Sequence, residues 1–245
     1  MKYYEMHNEA YKQLDEKDYI TWGRKKNISE ILEHEMNTEI KAQIDNYFPS
    51  AIGLTALDIG TGTGVTAFYL EKLGFKVDAF DVAPKAIEMA KKNAKKLNSN
   101  VSFNVGDITQ NIINKKYNFI VDSCCLHCIV TDEDRDQFYQ TVKTSLKECG
   151  TFFLFTMTAS ENMSFLTDKK HLILKDTYLY SEGPDRWDMD WKEVDGRKVF
   201  LHRRILRDEQ LLVELKKHGF KIQHQYKTID DPNSTYNFIA WLTLK

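Results

Sequence analysis

At Leu54 the rhythm of the chain changes, and that change limits its possible folds more than any other feature. From there short apolar runs alternate with amphipathic segments, the pattern of βα units around a parallel sheet. The runs are TALDIG (55–60), KVDAFDV (76–82), VSFNVGD (101–107), YNFIVDS (117–123) and TFFLFTM (151–157). Between them Pro84 suits a first helical turn, and Ile87, Ala90, Ala94 and Leu97 recur at helical spacing. Thr131 with Asp134 resembles a capping box ahead of Phe138, Val142 and Leu146, and Gly150 is expected to stop that helix. Gly74 and Gly219 each follow a helix and precede a phenylalanine and a strand, KIQHQYKTI (221–229) in the second case. The last run, YNFIAWLTLK, is placed to return antiparallel. The expected fold class is α/β, a seven-stranded mostly parallel sheet with helices on both faces.

Two regions stand outside the alternation. Residues 1–49 are polar, with Tyr, Trp and aliphatic positions irregularly spaced, and read as a helical lid segment before a core of 50–245. Residues 158–206 separate the fifth strand from a helix at 208–218, where a crossover needs only a few loop residues. That insertion carries His171, Tyr178, Tyr180, Trp187 and Trp191, and is expected to cap a substrate pocket.

Composition narrows the function classes. With 42% hydrophobic residues the chain can bury a core, and its 34 basic against 36 acidic side chains offer no field for a polyanion. A nucleic-acid partner is therefore disfavoured. No signal-peptide pattern is visible, and no apolar run approaches the roughly 20 residues of a bilayer span, so no membrane partner is expected. Cys124, Cys125 and Cys128 sit within five positions, with Cys149 apart, which suits reduced thiols and a cytoplasmic location. A CCxxC run lacks a second ligand pair at zinc spacing, so it reads as small apolar packing and no metal is expected. A homodimer is compatible with the sequence but not required by it.

The sharpest motif is LDIGTGTG (57–64), set between a strand and a helix. Gly60, Gly62 and Gly64 remove Cβ atoms where the backbone must turn and approach a ligand, and Asp58 adds an acceptor beside the turn. The spacing is GxGxG, unlike the GxGxxG of nicotinamide and flavin binders, which disfavours a nicotinamide dehydrogenase. Asp81 ends the next strand, where an acid can accept both hydroxyls of a ribose. Asp107 and Asp122 end the third and fourth. Four acids at four successive strand ends mark the carboxyl edge, where open α/β sheets bind ligands.

On these residues the chain resembles the class I S-adenosylmethionine-dependent methyltransferases of Rossmann-like fold, and among them the small-molecule group. LDIGTGTG looks like the family's glycine motif, Asp81 like its ribose-binding acid and GDI (106–108) like its adenine-binding stretch. YNFIVDSCCLHCI (117–129) and LKECGTFFLF (146–155) look like its fourth- and fifth-strand motifs. The resemblance implies S-adenosylmethionine as cofactor and S-adenosylhomocysteine as product. Asp58 and the glycine turn would hold the methionine end, Asp81 the ribose, and Val82 would pack on adenine. Asp107 would accept from the adenine amino group, Ile108 would cover its other face, and the backbone near Asp122 and Ser123 would lie beside the sulfonium. In the leading segment Tyr11, Tyr19, Trp22 and Arg24 would close over the cofactor.

The acceptor is less constrained. The chain lacks the Asn/Asp-Pro-Pro-aromatic signature of enzymes that methylate adenine or glutamine amino groups, and the paired glutamates of the protein arginine enzymes. Both absences favour a small molecule methylated on oxygen, nitrogen or sulfur. His127, just past the fourth strand, is the expected general base. Trp187 and Trp191 are the expected aromatic walls for substrate, and Arg203, paired with Arg204, a clamp for a substrate carboxylate. RNA or protein side-chain methylation, and a cofactor-binding module without turnover, are the alternatives.

Overall fold

A computed structural model describes residues 3–4, 6–32, 35–48, 50–110, 113–185, 187–229 and 234–244. Two helices, α1 (Met6–Glu16) and α2 (Glu35–Tyr47), precede the alternating core. The core then runs β1 (Thr55–Ile59), α3 (Val65–Lys72), β2 (Lys76–Asp81), α4 (Pro84–Leu97), β3 (Ser102–Val105), β4 (Tyr117–Ser123), α5 (Asp132–Ser145) and β5 (Leu146–Thr158). After a one-turn helix, α6 (Ser164–Thr167), come β6 (Leu172–Lys175), β7 (Tyr178–Ser181), β8 (Lys192–Val194) and β9 (Arg197–Arg204). Helix α7 (Asp208–Lys217), β10 (Phe220–Thr228) and β11 (Tyr236–Leu244) close the chain.

Seven strands form one sheet in the order β10-β11-β5-β4-β1-β2-β3. Strands β1 to β5 pair in parallel and β11 pairs antiparallel with both β5 and β10. Strand β4 is apolar on both faces because helices cover both, and Phe119, Ile120 and Val121 are fully buried. Trp241 of β11 is buried too, stacked on Phe119 at 5.4 Å and on Tyr47 of α2 at 5.0 Å. Only the first part of the leading segment lies over the sheet's carboxyl edge, since α2 packs Ile40 and Ile44 into the main core.

Local signals locate most helix ends. Pro84 opens α4, and Asn98 closes it in the left-handed conformation at φ 52°. The Thr131 hydroxyl accepts from the Asp134 N–H at 3.2 Å and starts α5. Gly150 does not stop that helix. Helix α5 ends at Ser145 and β5 begins at Leu146, so Gly150 lies inside the strand. The β4–β5 register jumps from Tyr117↔Leu146 to Phe119↔Thr151, and a Cβ on Gly150 would sit 2.9 Å from Leu146 Cδ2 and 3.0 Å from the Lys147 carbonyl. The glycine serves a bulge in which the strand folds closely on itself.

The insertion after β5 is a separate antiparallel sheet, ordered β6-β7-β9-β8. Its inner face forms a small core of Leu166, Leu172, Leu179 and Ile205. Among the described residues no helix is long and apolar enough to cross a membrane.

Candidate active site

Parallel strands deliver their carboxyl ends, and the loops that follow them, to one edge of the sheet. At that edge a cavity is walled by Gly60, Phe80, Asp81, Val82, Asp107 and Ile108 from the core. Cys124, Cys125 and Cys128 continue the wall, and Tyr4, His7 and Tyr11 close it from the leading segment.

The glycine turn is built for close approach. Gly60, Gly62 and Gly64 have φ of 67°, 55° and 93°, a region that penalises any side chain. A Cβ on Gly60 would meet Cys125 Cβ at 2.7 Å, and one on Gly62 would meet the Tyr11 hydroxyl at 2.6 Å. The acids around the turn divide by what they hold. Asp81 accepts the Gly62 N–H on Oδ2 and the Ala83 N–H on Oδ1, each at 2.8 Å, so it ties the first two βα turns together. Burial nevertheless pushes its pKa up to about 6. Asp107 accepts the Thr109 N–H at 2.9 Å and its hydroxyl at 2.6 Å, and the Tyr4 hydroxyl donates to its other oxygen. Asp58, fully buried, accepts from the Thr61 hydroxyl at 2.6 Å through Oδ2, whereas Oδ1 has no hydrogen-bond partner among the described residues. Burial raises its pKa to about 7.

Asp122 has a different task. Its two oxygens accept the backbone N–H groups of Cys125 (2.7 Å) and Leu126 (2.9 Å), its side chain is fully buried, and it is absent from the cavity wall. It shapes the turn after β4, where Cys124 takes the left-handed conformation at φ 70°. Burial raises its pKa to about 7. The carboxylate thus holds in place the backbone that was expected beside the sulfonium.

Four other expectations are relocated. Trp22 and Arg24 lie on the outer side of the lid, lining a second cavity with Lys17 and Tyr19. Trp22 is half exposed and packs against Tyr11 at 5.3 Å, so it buttresses the residue that reaches the glycine turn. Trp187 and Trp191 pack around Phe200 at 6.0 and 5.7 Å, inside the small sheet rather than on the cavity wall.

His127 is buried in the one-turn helix Leu126–Cys128. Its Nδ1 lies 3.2 Å from the Thr156 hydroxyl and accepts the Met157 N–H at 3.5 Å. The ring proton therefore sits on Nε2. Burial, followed by the charge of Arg203, holds its pKa well below the ordinary histidine value. His127, expected from sequence as the general base, therefore has its lone pair turned into β5 and lies off the cavity wall.

Tyr4 and His7 were missed by the sequence reading, because nothing local in YYEMHNEA marks residues that act from across the fold. Helix α1 is pinned by long-range contacts. Asn8 accepts the Lys85 N–H at 2.9 Å, supplying a cap that Ala83 lacks, and Asp15 pairs with the Lys85 ammonium at 2.8 Å. Among the described residues no group of three or more His, Cys, Asp or Glu could hold a metal ion.

The features suit S-adenosylmethionine. Among the described residues, a buried carboxylate oxygen without a partner stands beside a turn crowded against any Cβ, and two further acids face the cavity with no lysine or arginine on its wall. Comparison with known proteins agrees. The methyltransferase domain family matches residues 51–197, more than half of the chain. The chain is 35% identical over 101 residues to a ribosomal protein L11 methyltransferase of Dictyoglomus thermophilum, covering 41% of this chain and 31% of that protein. It is 38% identical over 65 residues to a ubiquinone biosynthesis O-methyltransferase of Methylocella silvestris, covering 26% of this chain and 25% of that one. The chain thus spans about a third or less of these curated relatives. The crystal structure of an S-adenosylmethionine-dependent methyltransferase from Clostridium acetobutylicum superposes with a TM-score of 0.65 at 16% identity, covering 85% of this chain and 90% of that one. The chain belongs to the methyltransferase domain family, the class I, S-adenosylmethionine-dependent methyltransferases of Rossmann-like fold.

Proposed function

We propose that this protein transfers a methyl group from S-adenosylmethionine to a small molecule, and that the cavity at the sheet's carboxyl edge is where it does so. The observation that carries the reading is the convergence of Gly60, Asp81 and Asp107, from three successive strand ends, on one cavity without a cationic wall. When bound, the cofactor supplies an electrophilic methyl group on a sulfonium. Asp81 is assigned to the ribose hydroxyls through the lone pairs its backbone donors leave free. Val82 and Ile108 are assigned to the two faces of adenine, and Asp107 to its amino group. Asp58 with the glycine turn takes the methionine end, and Tyr11 covers it.

The small-molecule assignment rests on enclosure. His7 and Tyr11 of helix α1 stand on the cavity wall, and the β6–β9 sheet backs that helix, with the His202 ring 3.2 Å from Met6 Sδ. In-line transfer gains most from alignment and exclusion of water, and a roofed cavity supplies both. Four free cysteines accord with a cytoplasmic setting.

Calorimetric titration with S-adenosylmethionine, S-adenosylhomocysteine and NAD tests the cofactor. Binding of the first two in the micromolar range, with no heat from NAD, is expected; the reverse pattern overturns it. A mass-spectrometric screen for methyl transfer across metabolites, RNA and ribosomal protein then tests the acceptor class. Transfer confined to the macromolecules sinks the small-molecule reading.

A further inference from the structure

Behind the cavity wall, near enough to His7, Cys124 and Cys128 for its charge to act on them, stands one positive charge without a counter-ion among the described residues. Three arginines approach the turn after β4, and two are compensated. Arg135 bonds Glu214 at 2.7 and 2.9 Å and the Leu126 and Ile129 carbonyls at 2.9 Å. Arg204 pairs with Asp132 and lies over the Tyr178 ring at 5.5 Å. Arg203 has no ion pair among the described residues. Its Nε is buried without a partner, and Nη1 reaches only Met157 Sδ at 3.5 Å, a weak acceptor.

The backbone directs this residue deliberately. In the pairing of β7 with β9, Leu179 opposes Arg203 while Tyr180 opposes Leu201, so His202 is the extra residue of a bulge. A bulge sets two consecutive residues against one partner and suspends strict alternation of faces, so His202 and Arg203 both turn toward α1 and β5. His202 meets Met6 of α1, and Arg203 meets Met157, the residue whose N–H fixes the His127 ring. His7, one residue beyond Met6, lines the cavity beside Cys124 and Cys128.

We propose that Arg203 receives a carboxylate of the methyl acceptor, with the imidazole N–H of His127 as a flanking neutral donor, an inference that rests on the methyl-transfer reading above. The charge count selects the ligand class. Burial, then the Arg203 charge, lowers the pKa of His127 and His202 well below the ordinary value, and that of His7 to about 4. All three rings are neutral at pH 7. The site therefore offers one full positive charge on a fork suited to two oxygens, which a monoanionic carboxylate matches in charge, whereas a phosphate dianion brings a second negative charge that nothing there balances.

The test uses imidazole nitrogen–proton NMR of the full chain titrated with benzoate, benzamide and inorganic phosphate. S-adenosylhomocysteine titration, run first, judges the methyl-transfer reading by itself. Benzoate is expected to shift the His127 and His202 resonances saturably, with benzamide and phosphate at least tenfold weaker. Arg203→Met should abolish the benzoate response while S-adenosylhomocysteine affinity stays within twofold, and Arg203→Lys should keep part of it. No response to benzoate, an equal response to benzamide or phosphate, or a response that survives in Arg203→Met overturns the proposal. Should Arg203→Met fail to fold, the benzoate–benzamide contrast in the unaltered protein decides.

Discussion

The two walls of the cavity are made in opposite ways. On the core side, Asp58, Asp81 and Asp107 stand at strand ends and are held by residues within a few positions or by the adjacent βα turn. On the roof side, Tyr4 and His7, with His202 and Arg203 behind them, come from opposite ends of the chain and are held by contacts spanning the whole fold, such as His202 with Met6. One wall is local geometry repeated along a sheet. The other exists only after α1 and the inserted sheet have docked. The difference teaches that the half proposed for the cofactor rests on local βα geometry, whereas the half proposed for the acceptor rests on tertiary packing.

If that division holds, a core-wall change should act on cofactor affinity and a roof change should not. The largest effect is expected for Asp81→Ala, which removes the ribose acceptor and strands the Gly62 and Ala83 N–H groups. Losing a charge-assisted hydrogen bond is worth about 1.5–3 kcal/mol, so calorimetry should show cofactor affinity falling roughly ten- to a hundredfold. Unchanged affinity in a folded variant would dissolve the distinction.

Gly62→Ala probes a point where the walls touch. The left-handed conformation at φ 55° costs an alanine about 1–2 kcal/mol, and its Cβ would collide with the Tyr11 hydroxyl. A melting temperature lower by about 3–8 °C, with increased proteolysis at α1, is expected. An unaltered α1 would mean that the lid is held without that contact.

The pH dependence sharpens the core wall further. Asp81, raised to about 6 by burial, must be ionised to accept from both ribose hydroxyls, so cofactor affinity should rise from pH 5 to pH 7.5 and flatten in Asp81→Asn. Stability of the free protein should move the other way. Asp58, Asp81 and Asp122 all have raised folded pKa values, so their contribution is complete below about pH 4 and is lost as pH rises through 6 to 7. Denaturant midpoints measured at pH 5 and pH 8 check the sign.

The smallest effect is expected for Trp191→Ala. Trp191 packs on Phe200 and carries Lys198 at 4.6 Å over its ring, so the loss should appear as a lower melting temperature with acceptor KM within about twofold. A large change in KM would return the tryptophan to the substrate wall.

Residues 54–157 announced their architecture because each signal there is short-range. A parallel strand reads as an apolar run, a left-handed turn demands glycine, and an acid after a strand lies at the ligand edge by topology alone. Gly60, Asp81, Val82, Asp107 and Ile108, singled out on those signals, all line the one cavity. Asp122 shows the limit of that logic, because the same position after a strand also serves a carboxylate that only ties its own turn. His127, Trp187 and Trp191 lie off the cavity wall for another reason. Which way a ring faces, and whether an aromatic residue fills its own small core or a ligand cavity, depends on partners far off in the chain, Met157 for one and Phe200 for the others. Periodicity and turn chemistry thus settle the sheet, its order of elements and the cofactor edge, since these follow from backbone sterics and local hydrophobic spacing. The docking of α1, the bulge that aims Arg203 and the tautomer of His127 belong to the tertiary structure, since burial and long-range hydrogen bonds have no signature in any window of sequence.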